Sequence, residues 1–252
     1  MTYYEDPRPG RGSVAPRARV ATDATRLSLN GTWRFRLTEG PRDEGFAAPE
    51  FDATTWAALP VPSHWAMHGH DRPAYTDLPY IFPIDPPFVP SDGPVGDHRF
   101  AFDLPAGWPS DGEVLLRFEG VDSCGRIWLN GHELGHTMGS RLPSEFAVGA
   151  RLRREGNVLA VRVHQHSAGS YLEDQDMWWL PGIFRDVALV HRPAGGVEDL
   201  FVHAGYDHET GEGTLLVHLG VRGRRPARGR GRARGPGPRG RRARDAVAPR
   251  AA

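Results

Sequence analysis

The sequence predicts an all-β protein built around a jelly-roll β-sandwich. Three observations point there: short apolar runs alternate with period two, turn residues separate those runs, and no long stretch sustains helical periodicity. Residues 1–26 are rich in Pro, Arg and Gly with little apolar content and read as an extended arm. From residue 27 the strand pattern begins. WRFRL (33–37), HRFAFDL (98–104), EVLLRFEGV (113–121), GRIWLNG (125–131), NVLAVRVHQ (157–165) and IFRDVALVH (183–191) each place apolar side chains on one face of a pleated strand. Asn30-Gly31 and Asn130-Gly131 mark tight turns beside them. So many strands within residues 27–193 fit a jelly roll.

Two more strands, 200–204 and 213–219, follow across a polar loop. Two strands cannot bury a core, so residues 194–220 read as the opening of a second, incomplete β-domain. Residues 221–252 contain only Val, Arg, Gly, Pro, Ala and Asp, and this Arg/Gly/Pro/Ala tail is expected to be disordered.

The formal net charge of zero is a cancellation. The tail carries 12 of the 31 basic residues and a single acidic one, Asp245, which leaves 19 basic against 30 acidic residues in the first 220. Every basic residue is Arg. Such a composition fits a GC-rich gene read out of frame in the tail, with a programmed Arg/Gly tail as the competing explanation. The tail lacks the aromatics that interleave many RNA-binding Arg/Gly segments, which favours the first. Its arginines would bind nucleic acid only non-specifically, so no specific nucleic-acid partner is expected.

The single cysteine, Cys124, rules out an internal disulfide and a Cys-based zinc site, and its apolar flank reads as a buried thiol. No apolar run follows the N-terminal charges and none approaches 18 residues, so the expectation is a cytoplasmic protein without a membrane partner.

The segments LSLNGTWRFRL, VPSHWAMHGHDRPAYTDLPYIFPIDPPFVPSDGPVGDHRF, GVDSCGRIWLNGHELGHTMGSRLPSEF and GSYLEDQDMWWLPGIFRDVALVHRP resemble, in this order, the N-terminal sugar-binding domain of bacterial β-galactosidases of glycoside hydrolase family 2. The resemblance runs from about residue 27 to 193. It implies a galactose-binding-domain-like jelly roll, followed in the family by an immunoglobulin-like domain and a (β/α)8 barrel that carries the catalytic glutamates. Retaining hydrolysis needs two carboxylates roughly 5 Å apart, and a barrel takes about 250 residues. Only 59 residues follow Pro193, 32 of them tail, so the chain reads as a β-galactosidase truncated before its barrel and inactive alone. No catalytic residue is assigned. Glu113, Glu133 and Glu145 read as surface carboxylates.

The resemblance also implies site residues. The motif LEDQDMW carries an aspartate that bonds galactose hydroxyls and helps ligate a monovalent cation once the barrel is present. That role falls on Asp176, whose carboxylate accepts two hydroxyls and offers a hard oxygen to Na+ or K+. The alternative is that Glu173, Asp174 and Asp176 form a solvated acidic turn. Gly93, in the loop SDGPVG, stands where the family has a sugar-contacting asparagine, so that side chain is lost here; Asp92 is its neighbour. For the complete family enzyme Na+ or K+ and Mg2+ are implied, and for this chain no cofactor.

Of Trp178 and Trp179, which point opposite ways on an extended segment, at most one faces a sugar. Trp33, Trp65 and Trp128 read as core, and Arg141 as a residue that pairs with a carboxylate and pins a loop. His64, His68 and His70 have a metal-like spacing but sit in a Gly- and Pro-bounded loop, which speaks against zinc. The partner implied is a β-galactoside, held weakly by this chain alone. A stand-alone carbohydrate-binding module and an interaction fragment, forming a homo-oligomer or complementing a barrel-containing chain, are the other readings.

Overall fold

The computed structural model describes residues 1–17, 22–75, 80–173, 175–222 and 227–233. The chain divides into two compact units, one comprising Met1–Pro16 with Ala24–Arg192, the other Arg17–Asp23 with Pro193–Ala252.

The first unit is a β-sandwich. Its strands are β1 (Gly10–Arg11), β2 (Arg26–Ser28), β3 (Gly31–Glu39), β4 (Ala57–Val61), β5 (Ala74–Tyr75), β6 (Pro94–Phe102), β7 (Glu113–Phe118), β8 (Cys124–Leu129), β9 (His132–Thr137), β10 (Ser144–Ala147), β11 (Asn157–His164), β12 (Trp178–Trp179) and β13 (Val187–Arg192). Seven of them form one sheet in the order β1-β9-β8-β11-β6-β3-β4, and four form the other in the order β10-β7-β13-β2. β5 and β12 make a separate two-stranded ribbon, and the one α-helix among the described residues, α1, spans only Ser170–Glu173.

The core lies between the sheets. Trp33, Leu59, Ile127, Leu159, Val161 and Val163 of the larger sheet meet Leu116, Phe118, Phe146, Val187 and Leu189 of the smaller, all fully or almost fully buried. Each such side chain contributes roughly 1.5–3 kcal/mol of burial, which is what fixes strand register. Trp33 and Trp65 are in this core, as expected, while Trp128 lies on the opposite face of the larger sheet with Phe46, Ala47 and Ala160.

That outer face is also covered, so β11 is buried on both sides. A charged row crosses it. Asp97, with no solvent exposure, takes a two-pronged pair from Arg162, its neighbour across β6 and β11, at 2.7 and 3.0 Å, and a third bond from Arg36 at 2.8 Å. Arg162 also donates to the carbonyls of Arg42 and Asp43, which fastens the loop over the sheet. Desolvating these charges is offset by the pairs themselves and by Arg162 engaging all three of its nitrogens, while Arg36 Nε stays buried without a partner.

The arm read from residues 1–26 is docked over its first half. β1 pairs with β9, Tyr4 is buried and stacks on His164 at 4.2 Å, and the Tyr3 hydroxyl bonds His164 Nε2 at 2.6 Å. Asn130 and Gly131 both take positive φ, 53° and 81°, in the tight turn between β8 and β9. Asn30 serves differently: its side chain bonds Asp186 and the Val187 amide as the chain crosses from one sheet to the other.

The second unit holds β14 (Val197–Tyr206), β15 (Gly213–Val221) and β16 (Ala227–Ala233), an antiparallel sheet in that order. This corrects the expectation of disorder from residue 221. Within the tail, Ala227–Ala233 pairs with β15 from Leu219↔Ala227 to Gly213↔Ala233. The ladder is made by backbone groups, so an exposed strand edge accepts a segment without large apolar residues. Residues 223–226 and 234–252 of that tail lie outside the described residues.

Candidate functional site

The segment after α1 carries the most distinctive polar geometry of the first unit. Asp176 has φ of 29°, a left-handed conformation that Asp tolerates better than bulky residues. Directly after it β12 pairs with β5, which sets Trp178 opposite Tyr75 and Trp179 opposite Ala74. The Tyr75 hydroxyl donates to Asp176 Oδ1, and the Tyr75 and Trp178 rings lie 5.4 Å apart. Tyr75 and Trp178 are 52% and 55% exposed, and Asp176 is exposed beside them.

The alternation across β12 separates the two tryptophans as pleating requires. Trp178 faces outward. Trp179, 9% exposed, turns inward against Tyr80 at 5.4 Å and His166 at 5.7 Å. One carboxylate beside two open aromatic faces can accept hydroxyl hydrogen bonds while packing on C–H surface.

Two carboxylates hold the segment from behind. Glu173 accepts the Ser140 amide at 2.6 Å and the Ser140 hydroxyl. Arg141 bridges Glu173 at 3.5 Å and Asp122 at 3.0 Å, the loop-pinning role expected of it. Burial pushes the Asp122 carboxyl up to about 7, with Arg141 opposing the rise and Glu173 adding to it. Glu173 is therefore an anchor, whereas Asp176 is solvent-facing; Asp174 lies outside the described residues.

Gly93 contributes backbone alone. Its carbonyl accepts the Gly40 amide at 3.0 Å, and a Cβ there would stand 2.9 Å from His166 Cδ2. The imidazole of His166 thus fills the space that a side chain at 93 would need. It packs on Phe82 at 4.8 Å, and burial lowers its pKa to about 4. Gly93 reaches the Asp176 segment through this packing, His166 touching Trp179; Asp92 is exposed.

Glu145 requires correction. Its side chain is only 6% exposed and pairs with Arg117 at 3.0 Å, while Glu119 takes the same guanidinium at 2.7 Å. Arg117 and Glu145 face each other across β7 and β10, so the pair is cross-strand and buried. Glu133 stays on the surface and bridges Arg126 at 2.6 Å, and Glu113 is half-buried.

The three clustered histidines disperse. His64 stacks on Phe184 at 5.1 Å, His70 meets Phe35 edge-on at 4.8 Å, and His68 is exposed. Among the described residues no group of three His, Cys, Asp or Glu stands together to hold a metal ion, and no helix is long and apolar enough to cross a membrane. Cys124 is buried, and burial pushes its thiol pKa up. Sequence reasoning missed Tyr75, Asp122 and His166. Tyr75 lies 101 residues before Asp176, so no local spacing could signal their bond.

Comparison with known proteins gives the family of this chain. The family model described as glycosyl hydrolases family 2, sugar binding domain, matches residues 27–193. A β-galactosidase of Arthrobacter sp. (strain B7) is 46% identical over 238 residues, 86% of this chain and 23% of that protein. A β-galactosidase of Vibrio cholerae is 44% identical over 192 residues, 75% of this chain and 19% of that protein. The chain spans about a fifth of the length of the curated relatives it matches. Among solved structures, Bacteroides uniformis β-glucuronidase aligns with TM-score 0.60 at 22% identity, covering 79% of this chain and 22% of that one. Bifidobacterium dentium β-glucuronidase aligns with TM-score 0.61 at 17% identity, covering 81% and 37%. At such identities the likeness shows a shared fold.

Proposed function

Because the chain belongs to glycoside hydrolase family 2 and carries that family's sugar binding domain, we propose that it supplies the galactoside-facing wall of a β-galactosidase. The observation that carries this reading is the exposed trio of Asp176, Tyr75 and Trp178. Tyr75 fixes the carboxylate through Oδ1, so Oδ2 and the remaining lone pairs are presented for hydroxyls of a terminal sugar. Trp178 offers an apolar face to its C–H side. Bond cleavage falls to a pair of carboxylates about 5 Å apart, which on this reading belong to a barrel and not to these 252 residues.

A sodium- or potassium-type ion at Asp176 belongs to the same proposal. The carboxylate suits a hard cation, but one carboxylate is a single ligand, and the further ligands would come from outside this chain. Mg2+, on this reading, belongs to the complete family enzyme.

Turnover and binding test the reading separately. The purified 252-residue chain should leave a chromogenic β-galactoside uncleaved, and hydrolysis that survives controls for contaminating host enzyme would overturn the assignment of chemistry to a barrel. Mixed with a barrel-containing β-galactosidase chain lacking this domain, it should restore activity, and Asp176→Ala should remove at least tenfold of that gain, about 1.4 kcal/mol. Equal restoration by the variant removes Asp176 from the site. Calorimetry with galactose should give a Kd above about 1 mM for the chain alone, since about 4 kcal/mol is what half a pocket can supply; a micromolar Kd lost in Asp176→Ala would favour a stand-alone binding module.

A further inference from the structure

One guanidinium touches both ends of the segment that carries Asp176. Arg141 Nη1 reaches Glu173 Oε2 at 3.5 Å, and Nη2 donates to the sulfur of Met177 at 3.7 Å. Glu173 closes α1 and Met177 directly follows Asp176, so a single side chain spans residues 173–177 with the left-handed Asp176 between its contacts. The same Nη2 lies 3.0 Å from Asp122 Oδ2.

Asp122 belongs to the frame of the sandwich. Its amide and its carbonyl are both bonded to Gly182 at 3.0 Å, and the next amide, that of Ser123, donates to the His164 carbonyl at the end of β11. Through the Asp122 carboxylate, Arg141 therefore ties the Asp176 segment to a fixed point. A thioether is a weak acceptor and Glu173 stands farther off, so the charged contact at 3.0 Å is the one that holds the guanidinium in place. That contact is an ion pair only while Asp122 is ionised. Burial raises its carboxyl to about 7, with Arg141 opposing the rise and Glu173 adding to it, so the pair is made and lost across neutral pH. The other charged or titratable groups around Arg141 among the described residues are Arg185, whose Nη1 donates to the Arg141 carbonyl at 2.8 Å, and His64, whose pKa burial lowers. A proton on Asp122 leaves Nη2 without its anion; the guanidinium then moves toward Glu173, and Met177 loses its contact.

We propose that Arg141 is the positioning residue of Asp176: paired with ionised Asp122 it holds residues 173–177 in the conformation that presents the Asp176 carboxylate, and released from Asp122 it lets that segment shift, so that galactoside affinity falls. The inference rests on the reading of Asp176 as the sugar-facing carboxylate.

Met177 is one of four methionines, so its methyl group can be followed by itself in the full chain with carbon-13-labelled methionine. Without ligand, the Met177 signal should move between about pH 8 and about pH 6 with a midpoint of about 7. Methyl β-D-galactopyranoside, followed by the Trp178 indole N–H, should bind about fivefold more weakly at the lower pH, the low end of coupling between two sites. Asp122→Asn and Arg141→Gln should each abolish both pH responses, and either variant suffices if the other loses its dispersed spectrum. A pocket wall that merely props the segment would show neither response. A Met177 signal that does not titrate, one that titrates undiminished in Arg141→Gln, or an affinity equal at both pH values overturns the inference. If Met177 titrates in the parent and in neither variant while Trp178 ignores the galactoside at both pH values, the sugar-facing reading of Asp176 falls and Arg141 stands as the residue that sets the segment.

Discussion

Burial holds the imidazoles of His98, His164 and His166 neutral, with pKa values lowered to about 4, about 3 and about 4. For His164 the nearby guanidinium groups of Arg162 and Arg126 add to the effect of burial. An unfolded histidine takes its proton near pH 6.5, so on acidification the unfolded chain gains three protons that the folded sandwich refuses. The stabilisation is complete above about pH 6.5 and is lost as pH falls toward 4. Asp122 works in the opposite sense: raised to about 7, it keeps a proton when folded that the unfolded carboxyl, near 3.9, gives up. The net difference is about two protons, a slope approaching roughly 3 kcal/mol per pH unit between pH 6 and 4.5. All seven tryptophans precede residue 180, so their fluorescence follows the sandwich alone. Urea midpoints should fall sharply from pH 7 to 5, and equal midpoints would show that these imidazoles titrate freely. Residues like these mark where sequence reading stops. The core tryptophans were legible through pattern. Glu145 was not, because its partner Arg117 lies 28 residues away and only strand pairing reveals it.

Strands with a strong apolar alternation were legible as elements; those held by their neighbours were not. β11 reads plainly as NVLAVRVH, but β9, HELGHT, has a polar start and an internal glycine, and β1 is a two-residue piece of an arm poor in apolar residues. Their pairing depends on close approach at Gly135, where φ is 141° and a Cβ would stand 1.9 Å from the Arg11 carbonyl oxygen. The colliding atom is backbone, so β1 itself must move. Gly135→Ala should therefore lift the arm from β9 and loosen Tyr3 and Tyr4 from His164, at a cost of about 1–3 kcal/mol from the strained backbone. Trypsin cleavage after Arg11, slow in the parent because the arm is tied down, should quicken at least tenfold in proportion to the undocked population. Unchanged cleavage would mean that the aromatic contacts alone hold the arm. The variant should also release His164 toward an ordinary imidazole pKa and so flatten the acid response of the sandwich.

At the scale of the whole chain, the two units differ in what they bury. The sandwich closes a core between sheets, whereas the sheet of β14, β15 and β16 sets Leu200 beside Leu219, Val202 beside Val217 and Ala204 beside Leu215 on one face. Val202, Leu215, Phe201 and Tyr206 all remain exposed, between 44% and 74%. A three-stranded sheet with one open apolar face, and with β14 as an outer edge, offers both surface and backbone for pairing with other molecules. The sequence made this legible before any coordinates, since 200–204 and 213–219 alternate as strands with no apolar element following them. What it hid was the third strand, which forms from tail residues and pairs with β15. That strand extends the sheet sideways, next to β15. A chain ended after residue 193 should keep the urea midpoint of the sandwich, because the core residues of the first unit all precede Pro193. It should also stay monomeric at concentrations where the 252-residue chain scatters light. Equal scattering by both would trace association to the sandwich, and a drop in the midpoint of the shortened chain would mean that the second unit supports the first.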